Sequence, residues 1–542
     1  MTSITFITFI AFTAFVASVS YWKTRHDRMK EADDYFLGGR SLSAWVIAGS
    51  LMLTNLSTEQ LIGMNADSYK HTAAIMAWET TSALAMVAMA LYFLPMYLRR
   101  GLTTIPEYLA SRYDETTRVL ASAIFLFSYV FAFLPVVLVF GASGLENIFN
   151  VSEQFGITQH QGMLLMVWSI GTLGSLYAIF GGLKAVAISD TINGIGFLIL
   201  GLLVPYLGLR MMGDGSVVEG LSTLFVEERP KFDITGDEPG SFLPIGVLFT
   251  GMIVNQIFYW CVNQAIIQRA LGAKNLKEGQ KGVLIAAFLK LLGPLILVLP
   301  GIIAYAMFKD ELTADQSIFA YPMLVKAVLP TWLVGLFAAV LVGAILSTFN
   351  SVLNSSATLF AQGVYPSIIK RESSGLELIK VGRIFSVSVA ISSMFIAGML
   401  DTGGSLFNYL QKINATFFGP MLAILLLGMF TKKVSATAAK TGLIIGPIMF
   451  YLLVFHFGDQ VQYVLKSYFG LADDIHFLHF LAAVFIMTIA VMVGISRFKP
   501  QAEKGSVEEI VPPVDMTPWR YGVPVGIAIS IATIGMFFVF TQ

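Results

Sequence analysis

The sequence contains few charged residues and almost no cysteine. Asp, Glu, Lys and Arg make up 13% of its 542 residues, about half the share of a soluble domain. The single cysteine, Cys261, excludes a disulfide framework, an iron–sulfur cluster and a cysteine-rich zinc site. The six histidines form no H-E-x-x-H pair, and 34 basic residues balance 34 acidic ones, so the sequence has no basic field for nucleic acid. Hydrophobic residues make up 56% of the chain and the mean hydropathy is +0.75, which indicates a polytopic membrane protein.

Fourteen apolar runs approach the roughly 20 residues that a helix needs to cross the hydrocarbon. The first run lacks a charged start and a small-residue cleavage site, which favours a retained span over a signal peptide. We number the predicted spans 1 to 14 in chain order: 3–22, 43–65, 73–97, 119–145, 162–180, 185–209, 242–267, 282–308, 331–365, 383–400, 404–430, 436–456, 477–496 and 521–541.

The loops between these spans differ strongly in positive charge. Numbered from the first, the odd loops contain 25 Lys and Arg residues and the even loops 7, while Lys290 and Lys412 fall inside spans. Because cytoplasmic loops are enriched in Lys and Arg, we expect a plasma-membrane protein, typical of a bacterial inner membrane, with both termini extracellular or periplasmic. Two longer outside segments, Gly213–Gly240 and Lys309–Pro330, are predicted to be surface loops or lids. We see no soluble domain.

Several polar residues lie where lipid should exclude them. The ionisable ones are Glu59, Glu79, Asp190, Lys290 and Lys412. Amides and hydroxyls in the same spans can hold helices together by hydrogen bonds. Ionisable groups at membrane depth more often line a cavity or pathway. Since the polar residues concentrate in spans 2, 3, 7, 8 and 11, we interpret the set as a pathway.

Spans 2 and 7 share an unusual polar interruption. Span 2 carries six polar residues within 54–60, and span 7 carries Asn255, Gln256, Asn263 and Gln264. Polar breaks in corresponding helices of two halves are typical of inverted-repeat transporters. We therefore expect an all-α protein with a broken first helix in each repeat. Its predicted divisions are an N-terminal region 1–42, a first repeat 43–211 (spans 2–6), an outer loop 212–241, a second repeat 242–430 (spans 7–11) and peripheral C-terminal spans in 431–542.

Span 9 carries a stripe of small polar residues. Ala344, Ser347, Thr348 and Ser351 recur at the spacing of one helical face. Such stripes often serve only for close packing between membrane helices. They can equally supply oxygen ligands, which hard cations prefer, and Na⁺ is such a cation. The stripe alone leaves both interpretations open.

The motifs together resemble the solute:sodium symporters, the family that contains the sodium/glucose and sodium/galactose cotransporters. The resemblance covers essentially the whole chain. It rests on Asp-Tyr-Phe-Leu-Gly-Gly-Arg-Ser-Leu at 34–42, Asn-Leu-Ser-x-Glu-Gln-x-x-Gly-Met at 55–64, Gly-Gly-Leu-x-Ala at 181–185 with Asp190, Gln268-Arg269, and Ala344-x-x-Ser347-Thr348. It implies a LeuT-like fold of five-plus-five inverted repeats.

The resemblance also implies roles for individual residues. Residues matching the sugar contacts of the bacterial sodium/galactose member are Gln60, Glu79, Ser82, Gln256, Lys290 and Gln411, with Gln256 in place of an Asn. Gate positions match Met64, Trp78 and Phe407 on the outer side and Tyr259 on the inner side. The sodium site matches the carbonyls of Leu53, Leu56 and Ala344 and the hydroxyls of Ser347 and Thr348. Asp190 and Ser351 match a second sodium site or an exit path, and Asn55 and Arg269 match supporting positions.

The chemistry of these residues favours a neutral solute. Amides, a carboxylate and an ammonium suit the hydroxyls of a sugar, and an aromatic wall suits its apolar face. A carboxylate solute would favour an Arg, and no Arg lies in the central spans. We expect symport of one Na⁺ with a neutral monosaccharide such as galactose or glucose, in a lipid bilayer, without an organic cofactor, nucleic acid or obligate protein partner. The alternatives are symport of inositol, sialic acid or an amino acid, and a sugar sensor that does not transport. A membrane enzyme is disfavoured because no nucleophile–base or metal constellation is evident.

Overall fold

The computed structural model describes residues 3–25, 31–235, 242–370, 372–400, 406–471, 473–500 and 511–540. Within these ranges the backbone is helical, and strand-like pairing is limited to the isolated bridges Leu42–Ala273 and Asn275–Asp515. Parts of the predictions lie outside the described residues, namely Arg28 and Lys30 of the first loop, Gly240, Arg371, the first residues of span 11 and Lys504.

Helices lie at all fourteen predicted positions. By length and composition, nine helices of the described residues can cross a membrane, and the pair Leu276–Lys290 and Gly293–Phe308, bent by 52°, makes a tenth. The nine are Ser3–Thr24, Ala73–Arg99, Glu115–Phe149, Gly182–Met212, Thr331–Ile368, Gly375–Ala397, Leu406–Phe430, Ala436–His456 and Phe477–Phe498. The other four positions hold the two halves of spans 2 and 7, the first part of Gln159–Met212, and Gly522–Phe540. Span 9 lies at the centre of the bundle, since 72% of its apolar window is buried, against 17% for span 1.

Spans 5 and 6 are joined more directly than the sequence predicts. One helical run, Gln159–Met212, covers both, and it changes direction at Gly182. Gly182 has φ 60° and ψ −175°, a conformation that residues with a Cβ rarely adopt. The predicted loop around Lys184 is therefore a single glycine turn, because glycine can reverse the chain without a longer connection.

The polar interruptions of spans 2 and 7 are shorter than expected. Span 2 consists of Ala44–Asn55 and Thr58–Lys70, so only two residues are non-helical. Span 7 consists of Gly251–Cys261 and Gln264–Leu271, and its break lies at 262–263, beyond the polar residues at 255 and 256. The predicted break is present in each span, but most of the polar residues around it remain helical, because a polar side chain does not prevent its backbone from making helical hydrogen bonds.

The two long outside segments are partly helical. The first forms Val217–Glu227 and a short turn Arg229–Phe232, and the second forms Ala314–Phe319 and Ala320–Val328. Lys231 fastens the first segment to the end of span 2, because its ammonium donates to the carbonyls of Tyr69 (2.6 Å) and His71 (3.0 Å). Burial lowers the pKa of Lys231 to about 8. These contacts support the prediction of lids over one end of the bundle.

Polar contacts divide the loops into two groups. Odd loops meet one another: Arg40 donates to the Gly101 carbonyl, Arg112 donates to the Thr431 carbonyl, and Lys440 pairs with Asp114. Even loops meet at the opposite end: Lys70 pairs with Asp315, Lys309 pairs with Glu228, and Lys326 donates to the Asn147 carbonyl. We call these the inner end and the outer end, following the predicted orientation. The grouping agrees with the alternation of loops that the span count requires.

Close packing of span 8 on span 2 depends on a glycine. A Cβ at Gly301 would lie 2.0 Å from Ser68 Oγ and 2.3 Å from the Asn65 carbonyl oxygen. We expect Gly301→Ala to lower the free energy of unfolding by about 1–3 kcal/mol, since the two backbones must separate. Thermal unfolding in detergent measures this. Gly494→Ala is the control, because a Cβ at Gly494 meets nothing within 4 Å; equal stability of the two variants would contradict the prediction.

Candidate solute and sodium sites

The break in span 2 releases two backbone carbonyls. In a continuous helix the Ser57 amide would donate to the Leu53 carbonyl and the Gln60 amide to the Leu56 carbonyl. Here the Ser57 amide donates to the Asn55 carbonyl (2.8 Å) and the Gln60 amide to the Ser57 carbonyl (3.2 Å). Leu53 and Leu56, the two carbonyls that the resemblance assigns to sodium, thus lose their helical partners. Free carbonyl oxygens at a helix break suit a hard cation.

Span 9 lies directly against this break. The Thr348 hydroxyl donates to the Thr54 carbonyl at 2.9 Å, and the hydroxyls of Thr54 and Ser351 are 3.1 Å apart. Ala344 is one turn before Thr348 and is fully buried. The structure therefore brings the predicted sodium ligands of spans 2 and 9 to one place. Span 2 contributes two of the predicted carbonyl ligands, and span 9 contributes the Ala344 carbonyl and two hydroxyls, so movement of one span against the other would open or close the site.

Ser347 differs from its neighbour in its contacts. Its side chain is 2% exposed, and its hydroxyl makes no hydrogen bond of standard geometry within the described residues. The Asp190 carboxylate is a polar neighbour of Ser347 and accepts a hydrogen bond from Ser50 at 2.7 Å. A buried hydroxyl beside a carboxylate is able to bind a cation without breaking existing contacts. Asp190 thus lies beside the predicted sodium ligands, as a second site or exit path requires.

Arg269 occupies the inner side of the same region. It is fully buried, and its guanidinium donates to the Ala265 carbonyl (2.6 Å) and to the Ser351 hydroxyl. The charge of Arg269 also acts on Asp190. Ser351 is consequently occupied by a cationic donor in this conformation. A sodium ion that used Ser351 as a ligand would first have to displace that guanidinium contact.

A cavity between spans 2, 3, 4, 7 and 11 contains most of the predicted solute-binding residues. Gln60, Glu79, Ser82, Gln256 and Gln411 line it. Lys290 is not in the wall: it lies behind Glu79 with 0% of its side chain exposed. Residues that line the cavity without a predicted contact role are Asn55, Glu59, Phe133, Asn255, Trp260, Leu410 and Asn414.

Lys290 joins the cavity wall to the span 2 break through a polar chain. Its ammonium lies 2.5 Å from a Glu79 carboxylate oxygen and also donates to the Asn55 side-chain carbonyl. The Asn55 amide in turn donates to the Tyr259 hydroxyl at 3.0 Å. Lys290 therefore neutralises Glu79 and orients Asn55 and Tyr259. Its direct contact with a solute, implied by the resemblance, would require these bonds to change.

Several buried oxygens around the cavity lack partners within the described residues. They are Gln60 Oε1, Glu59 Oε2 and Asn255 Oδ1. Gln256 is different, because its amide donates to the Trp78 carbonyl (2.7 Å) and to the Thr81 hydroxyl (3.1 Å). Unpaired buried acceptors are costly unless a ligand or water satisfies them. Acceptors of this kind match a solute that carries hydroxyl donors.

Aromatic side chains close the cavity toward the outer end. Trp78 and Phe407 meet edge to face with ring centroids 6.0 Å apart, and they are 5% and 2% exposed. Met64, the third predicted outer gate residue, is fully buried. On the inner side Tyr259 is only half-buried and lies beside Phe418, with ring centroids 6.5 Å apart. The described conformation is thus closed to the outside.

Lys412 does not belong to the cavity. It lines a surface pocket at the outer end together with Asn408, Lys466, Asp474 and His476. Prediction of Lys412 as a residue at membrane depth was wrong in this respect. The described part of span 11 begins at Leu406, and Lys412 lies in its second turn, where its long side chain reaches the surface pocket.

Residues 35–446 match the model of the sodium:solute symporter family. The chain belongs to this family. A similar relative is an uncharacterised symporter of Escherichia coli (strain K12), which is 42% identical over 520 residues, covering 96% of this chain and 88% of that protein. The sodium/glucose cotransporter of Vibrio parahaemolyticus is 34% identical over 475 residues, covering 82% of this symporter and 85% of the relative.

Solved structures show the same fold. A Na⁺-coupled sialic acid symporter in a substrate-bound, outward-open state aligns with a TM-score of 0.75 at 22% identity, covering 92% of this symporter and 98% of that chain. Mhp1, a nucleobase-cation-symport-1 family transporter in a closed conformation, aligns with a TM-score of 0.52 at 13% identity, and the alignment covers 87% of this symporter and 95% of the Mhp1 chain. The expected all-α, LeuT-like fold is therefore confirmed. The family and relatives are transporters, which confirms that the protein is not an enzyme and that sodium is its coupling ion.

The cavity-lining residues that were not predicted to contact the solute differ in how clearly the sequence marks them. Glu59 and Asn255 stood out as polar residues in apolar spans, but nothing in the sequence shows which face of a helix meets a cavity. Asn414 carries the same signal in span 11. Phe133 and Leu410 carried none, because an apolar side chain in a membrane span has the same pattern whether it meets lipid, another helix or a solute.

Proposed function

We propose that this symporter couples the inward movement of one Na⁺ to the uptake of a neutral monosaccharide such as galactose or glucose. The observation that carries the proposal is the composition of the cavity wall. Its charged side chains are the carboxylates Glu59 and Glu79, and its other polar groups are amides, two hydroxyls and two indole N–H groups. A carboxylate solute has no hydrogen to donate to the unpaired acceptors Glu59 Oε2 and Gln60 Oε1, whereas sugar hydroxyls can donate to them. Trp78, Tyr259 and Trp260 offer flat surfaces for a ring.

The geometry supports a mechanism of alternating access. Na⁺ at the carbonyls of span 2 and the hydroxyls of span 9 would hold these elements together and shape the adjoining sugar cavity. Asn55 and Tyr259 connect the sodium site to the sugar cavity. Asn55 is the last residue before the span 2 break, and its amide donates to the hydroxyl of Tyr259, the predicted inner gate residue. Coupling then follows from the different affinities of the two states for Na⁺ and sugar, and it must be reciprocal. One charge moved through 100 mV contributes about 2.3 kcal/mol, enough for moderate accumulation.

Sodium-dependent counterflow in proteoliposomes tests the substrate. Labelled glucose, galactose, xylose, inositol and sialic acid are compared with Na⁺ or K⁺ as the cation. We expect exchange of a neutral monosaccharide in Na⁺ alone. Exchange of sialic acid without any neutral sugar would overturn the proposal, and exchange of inositol alone would reassign the substrate within the neutral polyols. Sodium/myo-inositol cotransporters are more distant relatives, 28% identical to this chain for the Bos taurus protein.

Binding without exchange would indicate a sensor rather than a transporter. The same proteoliposomes distinguish the two, because a sensor retains label only in proportion to protein while a transporter fills the vesicle volume. The proposed orientation, with both termini outside, is tested by protease access to a C-terminal tag in sealed cells. Cleavage only after the membrane is opened would contradict it.

Gln411 provides a separate test of the cavity. We expect Gln411→Ala to raise the half-saturating sugar concentration by about 5–10-fold, as the loss of a hydrogen bond predicts. Sodium binding, followed by isothermal titration without sugar, should stay measurable. Gln460→Ala is the control, because Gln460 is exposed at the outer surface. Loss of sodium binding with intact sugar affinity would contradict the assignment of Gln411.

A further inference from the structure

The break in span 7 is held by a tyrosine from another span. Asn263 caps the inner half Gln264–Leu271: its side-chain carbonyl accepts a hydrogen bond from the Ala265 amide at 3.0 Å. The Tyr129 hydroxyl of span 4 donates to the same Asn263 oxygen at 2.6 Å and accepts from the Ala265 amide at 3.0 Å. A phenol has one hydrogen to donate. Tyr129 therefore donates that hydrogen to Asn263 and accepts a hydrogen bond from Ala265, so both of its bonds are made at the span 7 break.

The backbone around Tyr129 is itself unusual. Tyr129 begins a π-helical turn, Tyr129–Phe133, within the long span 4 helix, and its side chain is 3% exposed. Such wide turns inside α-helices occur frequently at functional sites. Here the turn supplies both Tyr129, which contacts the break, and Phe133, which lines the solute cavity.

This contact lies on the route from the cavity to the inner end. A second, smaller cavity is lined by Tyr129, Asn263 and Phe418. It shares Phe133 and Asn414 with the solute cavity. Span 4 starts at the inner end and span 11 finishes there, so the second cavity lies inward of the first. A solute that leaves toward the inner end would pass the Tyr129–Asn263 contact.

The two halves of span 7 have different attachments. The inner half is tied to the surrounding scaffold, because Gln264 donates to the Thr103 carbonyl (3.1 Å) and Gln268 donates to the Phe36 carbonyl (2.7 Å). The outer half carries Gln256 and Tyr259 in the wall of the solute cavity. The angle between the halves thus determines where the cavity wall stands relative to the scaffold.

We propose that Tyr129 is a positioning residue for transport, whose hydroxyl latches the span 7 break in the described conformation, where Tyr129 and Asn263 are buried and close the inner side, and releases it when the inner side opens. The proposal rests on sodium-coupled transport but does not depend on which solute is carried. Losing the hydroxyl would leave the Asn263 cap in place but remove its link to span 4. The inner side would then open more readily even when Na⁺ favours the inner-closed state.

The test is the rate of alkylation of an inward-facing reporter by N-ethylmaleimide. The reporter is Met421→Cys in a Cys261→Ala background, since Met421 lines the second cavity and Cys261 is the only native cysteine. We expect Na⁺ to slow labelling relative to K⁺ in this background. Tyr129→Phe should raise the rate in Na⁺ by about fivefold, the effect of one typical hydrogen bond. Tyr321→Phe is the matched control, because its buried hydroxyl has no partner within the described residues.

A rate in Tyr129→Phe that stays within twofold of the control in Na⁺ would overturn the proposal. Asn263→Ala, which removes the cap as well, should raise the rate at least as much, and the double variant should be no faster than the faster single variant, since the two variants share the Tyr129–Asn263 contact. Additive effects would also overturn it. If Tyr129→Phe does not fold, the Asn263→Ala comparison decides. Labelling is measured without sugar, so a sugar panel that fails while the labelling response is as expected would overturn only the proposed substrate.

Discussion

Ser347→Ala is expected to abolish the stimulation of uptake by sodium. Hydrogen-bonded contacts to a charged group contribute about 1.5–3 kcal/mol, so loss of one ligand should raise the half-saturating Na⁺ concentration roughly 10–150-fold. At ordinary external sodium the site would then be largely empty. The measurement is sugar uptake by proteoliposomes as a function of external Na⁺.

The contacts of Ser347 make this variant informative. Its buried hydroxyl forms no hydrogen bond of standard geometry in the described structure, so its removal leaves no broken helix contact. Thr348 is less suitable, because its hydroxyl also fastens span 9 to the Thr54 carbonyl. A defect in Thr348→Ala would mix sodium affinity with packing between spans, whereas Ser347→Ala leaves the contact between spans 9 and 2 intact and affects only the ligand and its neighbour Asp190.

Ser356→Ala is the matched control for this prediction. Ser356 lies on the same helix, is fully buried, and donates to the Val352 carbonyl of its own helix at 2.8 Å. We expect its sodium dependence to stay within about twofold of the parent, since only a weak local bond is lost. An unchanged sodium dependence in Ser347→Ala would reject the proposed site.

Lys290→Met is expected to cause the largest loss of stability. It would leave the Glu79 carboxylate, 2% exposed on its side chain, without its cation. Breaking a buried ion pair by removing one partner costs about 3–5 kcal/mol. Thermal unfolding in detergent should therefore show a strongly lowered midpoint, and uptake should be lost. The Asn55 side chain would lose its donor from Lys290 at the same time.

The double variant Glu79→Gln/Lys290→Met separates pairing from function. It removes both charges, so most of the lost stability should return, while sugar uptake should remain absent because the cavity has lost the Glu79 carboxylate. A double variant no more stable than Lys290→Met would show that the pair is not the source of the effect. Recovery of uptake along with stability would show that Glu79 does not contact the solute.

The positions of the membrane spans follow directly from the sequence, whereas the places where they break do not. An apolar run such as 477–496 can satisfy its backbone in lipid only as a helix. The breaks are local events: polar residues occupy 54–60, yet only Leu56 and Ser57 leave the helix. Glu59 and Gln60 stay helical, and the first turn after the break makes its own backbone hydrogen bonds, such as that from the Leu61 amide to the Ser57 carbonyl at 2.9 Å. The spacing of polar residues does not show where such backbone bonds begin again.

The sequence predicts most of the residues of the candidate site, but not which of them line the cavity and which lie behind its wall. Gln60, Glu79 and Gln256 were singled out as polar residues in apolar spans, and they line one cavity. Lys290 was grouped with them, but it lies behind the wall, paired with a residue 211 positions away. Such a pairing depends on how two helices are rotated against each other. A hydropathy profile gives no information on how one helix is rotated about its axis relative to another.

By itself, the sequence determined that this is a polytopic helical membrane protein whose loops alternate in positive charge, and it predicts that the few charges at membrane depth mark a pathway. These features can be recognised from single residues, because exposing a polar group to lipid is costly at every position of a span. Only the tertiary structure decided the partners: Lys290 with Glu79, Thr348 with the Thr54 carbonyl, and Tyr129 with Asn263. Those contacts depend on the packing and rotation of distant spans, which bring together groups that the chain order keeps far apart.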